Sequence, residues 1–272
     1  MGRRAVIAYL DSLSTVVCAA FLILGSWSDL KTREVSNKLW AVSLPIVAVI
    51  TVIKAYLSSG LLLLYVISIS LSIAASLAIL EIGFFGGADA KAMICLGVAL
   101  PLFPDMFAPI LGYFHPFFSF IVLTNSFLIS LLSILYVVTM NIAWKLHARQ
   151  PFFDGFQQEH FLKKLLILLS GYRVELAELK KRIHLIPIED VEEADGTPIR
   201  KMRLFVDAEA DRDAVVERLE KYASQGIVSS RVWVTPGLPM LVFIFFGFVA
   251  SLVVGDILFY TIFTVVRLAL GL

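Results

Sequence analysis

The 272-residue sequence has only two cysteines, Cys18 and Cys95, both inside apolar runs and not in a CxxC pair. That excludes a disulfide framework and a thiolate zinc site, so both read as small buried hydrophobes. There is no HExxH, and no GxS element accompanied by an intramembrane histidine. The residue sets of an intramembrane metalloprotease and of a serine protease are therefore absent. Of the four histidines, His115 stands in a loop, and His147, His160 and His184 stand in a polar stretch. No metal and no cofactor is expected. Charge is scarce, at 17% of residues, and neither sign prevails: 23 Lys/Arg against 22 Asp/Glu leave a net charge of +1. Without a basic stripe to neutralise phosphates, nucleic acid is not an expected partner.

Apolar length is what the sequence does have. Hydrophobic residues make up 59% and mean hydropathy is +0.86, far above a soluble domain and typical of a protein whose solvent is the lipid bilayer. Charge-free windows run 12–28, 39–53, 55–80, 92–104, 106–144 and 232–255. Because a spanning helix needs about 20 apolar residues, these predict six transmembrane helices at roughly 8–28, 37–58, 61–85, 89–103, 116–144 and 237–269. His115-Pro116 breaks the fifth window, which makes 104–115 an interfacial loop. Lys54, Lys91 and Asp256 fall at or near window ends, where a side chain can snorkel or a helix can end. The start, Met1-Gly2-Arg3-Arg4 and an apolar run, lacks a small-residue cleavage site and is read as a mature helix. Ser68, Ser72 and Ser76, four residues apart, form a small-residue stripe for close helix packing.

Thirty of the 45 charged side chains lie between Lys145 and Arg231, 15 of each sign, so a soluble insertion interrupts the membrane body. The division is 1–144, with five helices; 145–235, the insertion; and 236–272, the last helix. The insertion reads as a small α+β unit: an amphipathic stretch at 156–183, β-like runs at 183–188 and 200–206, a helix over 211–222 and a strand over 230–235 that leads through Pro236-Gly237 into the last span. The fold class is thus an all-α membrane body of six helices with a small soluble α+β insertion before the last. Lys and Arg number 19 on the side of the odd loops and the insertion, against 4 on the other. Counted with the insertion, the positive-inside rule places the first side in the cytosol, in a multi-pass protein of the cytoplasmic membrane; without the insertion the count is 4 against 4, and Arg3-Arg4 argue the other way.

Ionisable groups in or beside membrane helices are expensive and are candidate functional groups: Asp11, Asp29, Glu81, Asp89, Lys91 and Asp256. With alternating spans, Asp29 ends helix one and Asp89 starts helix four on the same side of the membrane, whichever way the protein is inserted. Two carboxylates at one depth can share a proton, one acting as general base toward water and the other as general acid toward a scissile carbonyl. Gly86 and Gly87, just before Asp89, let an extended substrate backbone approach and permit a φ > 0 turn; a tight turn between helices three and four is the other reading of the pair. The competing class is a small ion-coupled transporter with carboxylates as carriers, against which stand the absence of repeated halves and the placement of the acids near a surface.

Gly86-Gly87-Ala88-Asp89-Ala90-Lys91 resembles the GxGDxK element of GxGD-type membrane aspartic peptidases, with Ala88 where the family element has its second glycine. Asp29 to Leu39 is similar to the D-x3-R-x2-[PS]-N element of type IV prepilin peptidases, and Thr235-Pro236-Gly237-Leu238-Pro239 is similar to the archaeal members. The helix plan resembles the preflagellin peptidases. The cysteine-bearing loop of bacterial prepilin peptidases is missing, so N-methyltransferase activity is expected to be absent. No Pro-Ala-Leu stands near the last span, unlike presenilin or signal peptide peptidase. The resemblance implies an aspartic endopeptidase with catalytic Asp29 and Asp89 that cuts the short basic leader from precursors of archaellins or type IV pilin-like proteins at the cytosolic membrane surface. Gly86, Gly87 and Ala88 would admit the substrate, Glu34 would hold the basic leader, and Lys91 would either bias Asp89 toward ionisation or serve as an interfacial lysine.

Overall fold

A computed structural model describes residues 2–112, 115–148, 152–156, 158–182, 184–194, 197–203 and 212–271. In chain order the first elements are α1 (Arg3–Thr32), α2 (Asn37–Leu57), a 3-10 turn (Ser59–Leu61), α3 (Leu62–Glu81), α4 (Gly87–Ala99), α5 (Phe118–Ser130) and α6 (Leu132–Ala148). There follow α7 (Phe161–Ser170), β1 (Tyr172–Glu175), α8 (Leu176–Lys181), β2 (Leu185–Pro187), β3 (Glu189–Ala194), β4 (Thr197–Met202), α9 (Arg212–Ser224), β5 (Arg231–Pro236), α10 (Met240–Val253) and α11 (Ile257–Ala269). The chain divides into two compact units, residues 1–130 with 239–272, and residues 131–238.

Among the described residues, four helices are long and apolar enough to cross a membrane, over Arg3–Thr32, Asn37–Leu57, Ser59–Glu81 and Phe118–His147. The pair α10 and α11, bent by 59°, makes a fifth if it is one span. The six expected spans are borne out only in part, for two physical reasons. The predicted fourth helix, α4, has 13 residues, about 20 Å at 1.5 Å per residue, short of a hydrocarbon core of about 30 Å. The predicted last helix breaks after Val253, where Gly255 adopts φ 102 and Asp256 caps α11 by accepting from Phe259 N–H at 3.2 Å. Any Cβ at Gly255 would lie 2.2 Å from the Gly112 carbonyl, so only glycine fits this bend. Buried Asn125 of α5 stitches the break, donating to Ser251 Oγ (3.0 Å) and Gly255 O (2.8 Å). The exposed carbonyls of Val253 and Val254 accept from Ile110 and Leu111 N–H at 3.1 and 2.8 Å. That satisfies irregular backbone that lipid could not satisfy.

In the first unit α4 is the core. Ala92, Met93, Cys95, Leu96 and Ala99 are buried among residues of α1, α2, α5 and α10. The serine stripe of α3 packs on it as expected: Ser68, Ser72 and Ser76 are buried, and Ser72 Oγ donates to Met93 O at 3.2 Å. Lys54 departs from the expectation of a snorkelling side chain. It is 1% exposed and donates to Asp11 Oδ1 at 3.0 Å and to Ala99 O at 2.8 Å, closing the C-terminus of α4. Thr51 Oγ1 donates to Val98 O at 2.7 Å and Ser68 Oγ to Pro101 O. These groups satisfy carbonyls that a short helix leaves orphaned inside the membrane body.

Helices α5 and α10 approach so closely that a Cβ on Gly247 would lie 2.2 Å from Ser126 Oγ and 2.8 Å from its backbone nitrogen. Gly247→Ala is expected to destabilise the protein by about 1–3 kcal/mol through overpacking, read as a lower unfolding temperature in detergent. Gly60→Ala, where nothing lies within 4 Å, is the control expected to leave it unchanged.

The second unit holds an antiparallel sheet in the order β1-β5-β2 and a separate β3–β4 hairpin, with Glu189 opposite Met202 and Ala194 opposite Thr197. Central β5 alternates as a strand buried on both faces must: Val232 and Val234 join Leu179, Leu185, Val215 and Leu219 in one cluster, and Trp233 joins Phe156, Ile167 and Ile188 in the other. Positions 183, 204–206 and 211 of the expected elements lie outside the described residues. Strand β1 lies inside what reads as one amphipathic stretch, and β3, with sequence EDVEEA, falls between the expected strands at 183–188 and 200–206, where no element is expected. It forms a strand because its buried acids are paired: Arg200 Nε and Nη2 reach Glu189 Oε1 at 2.9 and 2.6 Å, and Arg203 and Arg218 reach Asp190 Oδ2 at 3.0 and 2.8 Å.

Candidate active site

Three helix ends in the first unit build the site. The first is the last turn of α1. Arg33 caps this helix in the left-handed conformation (φ 59), the one non-glycine residue with positive φ among those described, and its N–H donates to Asp29 O at 3.1 Å. Such a backbone costs about 1–3 kcal/mol and persists only where its surroundings enforce it. It turns the chain out of the helix one turn after Asp29 and leaves Arg33 Nη1 4.0 Å from Asp29 Oδ1. The Asp29 side chain is 16% exposed.

The second is the first turn of α4. Asp89, in its third position, accepts from Gly86 N–H at 2.9 Å and so caps its own helix. It is 9% exposed, and the Asp29 carboxylate lies within Coulombic range of it. No hydrogen bond joins the two carboxylates among the described residues. Gly86 and Gly87 are exposed, and a Cβ on Gly87 would meet nothing within 4 Å, so the backbone beside Asp89 is open to an approaching chain. The positive-φ turn expected of these glycines is elsewhere: Gly86 is extended (φ −76, ψ 165), and Gly83 takes φ 83 as α3 ends. The next residues split between faces, Phe84 exposed and Phe85 buried against Phe127 with ring centroids 5.9 Å apart.

The third is the start of α10, which sequence reasoning did not assign to the site. Ser26 Oγ donates to Leu241 O at 3.0 Å, and the backbone N–H of Leu241 faces Asp29. A helix N-terminus presents unpaired N–H groups and a positive dipole end, so Asp29 and Asp89 each lie against one. The signal was the proline-bracketed Thr235–Pro239 segment, which ends where α10 begins. Asn37 was also missed as a site residue. Its Oδ1 accepts from Lys91 Nζ at 2.7 Å, which joins the two aspartate-bearing elements, while Ser36 Oγ caps α2 by accepting from Lys38 N–H at 3.3 Å. Lys91 is therefore directed at Asn37.

The other candidates are dispersed. Ala88 is half-buried in the turn, Glu34 is exposed two residues past α1, and Glu81 is exposed at the end of α3. Asp11 is held by Lys54, and Asp256 is buried at the α10–α11 break with His115 Nε2 3.6 Å from its Oδ2. Among the described residues no three His, Cys, Asp or Glu side chains are grouped to hold a metal ion.

Comparison with known proteins matches two stretches of the chain. Residues 16–138 match the type IV leader peptidase family, and residues 163–257 match the archaeal peptidase A24 C-terminus type II family. A preflagellin peptidase from Methanocaldococcus jannaschii is 25% identical over 256 residues, covering 90% of this chain and 94% of the relative. The first match contains Asp29, Asp89 and both surrounding elements, and the second takes in the sheet unit and α10, whose first turn meets Asp29. The chain is a multi-pass membrane protease that is similar, over two matched segments and along most of its length, to the archaeal preflagellin peptidases.

Proposed function

We propose that the protein removes the short basic leader from precursors of archaellins or type IV pilin-like proteins, with Asp29 and Asp89 as an aspartic dyad at the cytosolic membrane surface. The observation that supports this reading is that two carboxylates, at the end of α1 and the start of α4, lie within Coulombic range of each other beside the open Gly86-Gly87 backbone. The name of the M. jannaschii relative supports the substrate class.

In the working cycle one carboxylate is ionised and takes a proton from water. The other is protonated and donates to the carbonyl oxygen of the scissile peptide, giving a tetrahedral adduct. The first carboxylate then passes its proton to the leaving nitrogen, and as the C–N bond breaks a hydroxyl of the adduct returns its proton to the second carboxylate, so the pair again holds one proton. Two N-terminal helix dipoles hold negative charge at the dyad without a metal. Gly86, Gly87 and Ala88 seat the substrate backbone, exposed Glu34 meets the basic leader, and Lys91 supports the site through Asn37 by tying the α1–α2 turn to α4.

The test is cleavage of a synthetic precursor by the full chain in detergent, with products read by mass spectrometry. Cleavage after the leader is expected to be unchanged by EDTA and by serine-directed reagents, and the new N-terminus is expected to stay unmethylated with a methyl donor present. Loss of activity on chelation with recovery on zinc would replace the dyad with a metal mechanism.

A further inference from the structure

In a soluble unit an amphipathic helix turns its apolar arc inward; α7 does the opposite. Phe161 and Leu162 are 72% and 59% exposed, and Leu165 and Leu166 are 42% and 51% exposed. At 100° per residue these four lie on one arc of roughly 140°. The opposite side carries buried Ile167 and the half-buried Lys163 and Lys164, with Lys163 2.8 Å from Glu159 and Lys164 over the Phe153 ring. The helix is thus anchored by its narrow inner side and presents its broad apolar side outward.

What lies beside it says what covers that side. Helix α6 belongs to the apolar Phe118–His147 span, and its exposed Leu132, Leu135, Ile142 and Leu146 recur at spacings of three, four and seven along one side. At about 45 Å, 30 residues overrun a hydrocarbon core of about 30 Å, so the end of α6 lies at headgroup depth. There Asn141 Nδ2 donates to Leu168 O at 2.9 Å and to Gly171 O at 2.8 Å, tying the end of α7 to α6. The apolar surface of α6 is therefore continued by α7, as a helix lying at the membrane surface requires.

We propose that α7 is an interfacial helix lying in the plane of the bilayer surface, with Phe161, Leu162, Leu165 and Leu166 inserted at the boundary of headgroups and acyl chains. The occupant of the exposed face is lipid, and the insertion meets the membrane through this helix as well as through its chain connections.

The test uses the full chain in nanodiscs containing anionic lipid, with spin labels on single cysteines at 161, 162, 163, 165 and 166, and a reference label from Glu217→Cys on the exposed side of α9. The native thiols of Cys18 and Cys95 are buried and stay unlabelled. Labels at 161, 162, 165 and 166 are expected to collide severalfold more with oxygen and severalfold less with a water-soluble nickel chelate than the label at 217. The label at 163 is expected to fall between them. Nickel accessibility at the four apolar positions equal to that at 217 would overturn the proposal. Dipolar broadening between labels of two molecules in one disc, which would mean that a second copy covers the face, would overturn it as well.

Discussion

Asp29→Asn and Asp89→Asn are each expected to lower precursor cleavage by about 10³-fold or more, toward the upper end of what proton transfer contributes. Neither should unfold the protein. Asparagine keeps the shape of aspartate and one carbonyl oxygen, so Asn at position 89 still accepts from Gly86 N–H and the α4 cap survives. At position 29 it still faces the start of α10. What it loses is the proton that a dyad passes back and forth, which neither member supplies alone. Initial rates on a precursor peptide, with unfolding temperatures in the same detergent, check this. Activity in either variant within about tenfold of wild type would rule out a shared-proton dyad.

Lys54→Met is expected to cost about 3–5 kcal/mol, because removing one member of a buried pair leaves the other charge uncompensated. The side chains of Lys54 and Asp11 are 1% and 13% exposed, so solvent screens the pair little. The double variant Lys54→Met with Asp11→Leu is expected to recover most of the loss, since an apolar pair needs no partner; the unfavourable part is the isolated carboxylate. Unfolding temperatures of the two single variants and the double variant form the cycle. If the double variant is as unstable as the sum of the singles, the cost comes instead from the hydrogen bond lost at the Ala99 carbonyl. Such a loss would also be felt at the other end of α4, where Asp89 is held.

Much of the membrane unit and both aspartates were legible in the sequence because they leave one-dimensional marks. A charge within an apolar run is visible, and alternation of spans puts the ends of helices one and four on one side. The serine stripe was legible for the same reason, since four-residue spacing is helix geometry written along the chain. Lys54 carries no such mark. At the end of an apolar window, a snorkelling lysine and a lysine folded inward onto Asp11 look alike, and only the position of Ala99 O, 45 residues away, decides between them. The part played by α10 was equally hidden, because it depends on bringing Leu241 to Asp29 across the whole insertion. Strand β3 was missed because its acids look solvated until Arg200, Arg203 and Arg218 are seen across the fold. Gly83, and not Gly86, carries the left-handed turn because the local sequence offers three glycines and only the path of the chain selects one.

The placement of the proposed dyad at helix ends has a consequence for how the protein moves. Terminal turns hold the fewest ladder bonds, so they open first and at least cost, while mid-helix turns open only with the whole bundle. Hydrogen exchange should therefore be fast at the amides from Arg33 to Asn37 and from Gly86 to Asp89, and slow from Met93 to Ala99. A protease that must cut peptides of differing sequence needs a pair of acids whose spacing can adjust by an ångström or two. By fraying at the end of α1 and the start of α4, the molecule can gain that play in single turns, without disturbing the packing of Met93, Leu96 and Ala99 behind them.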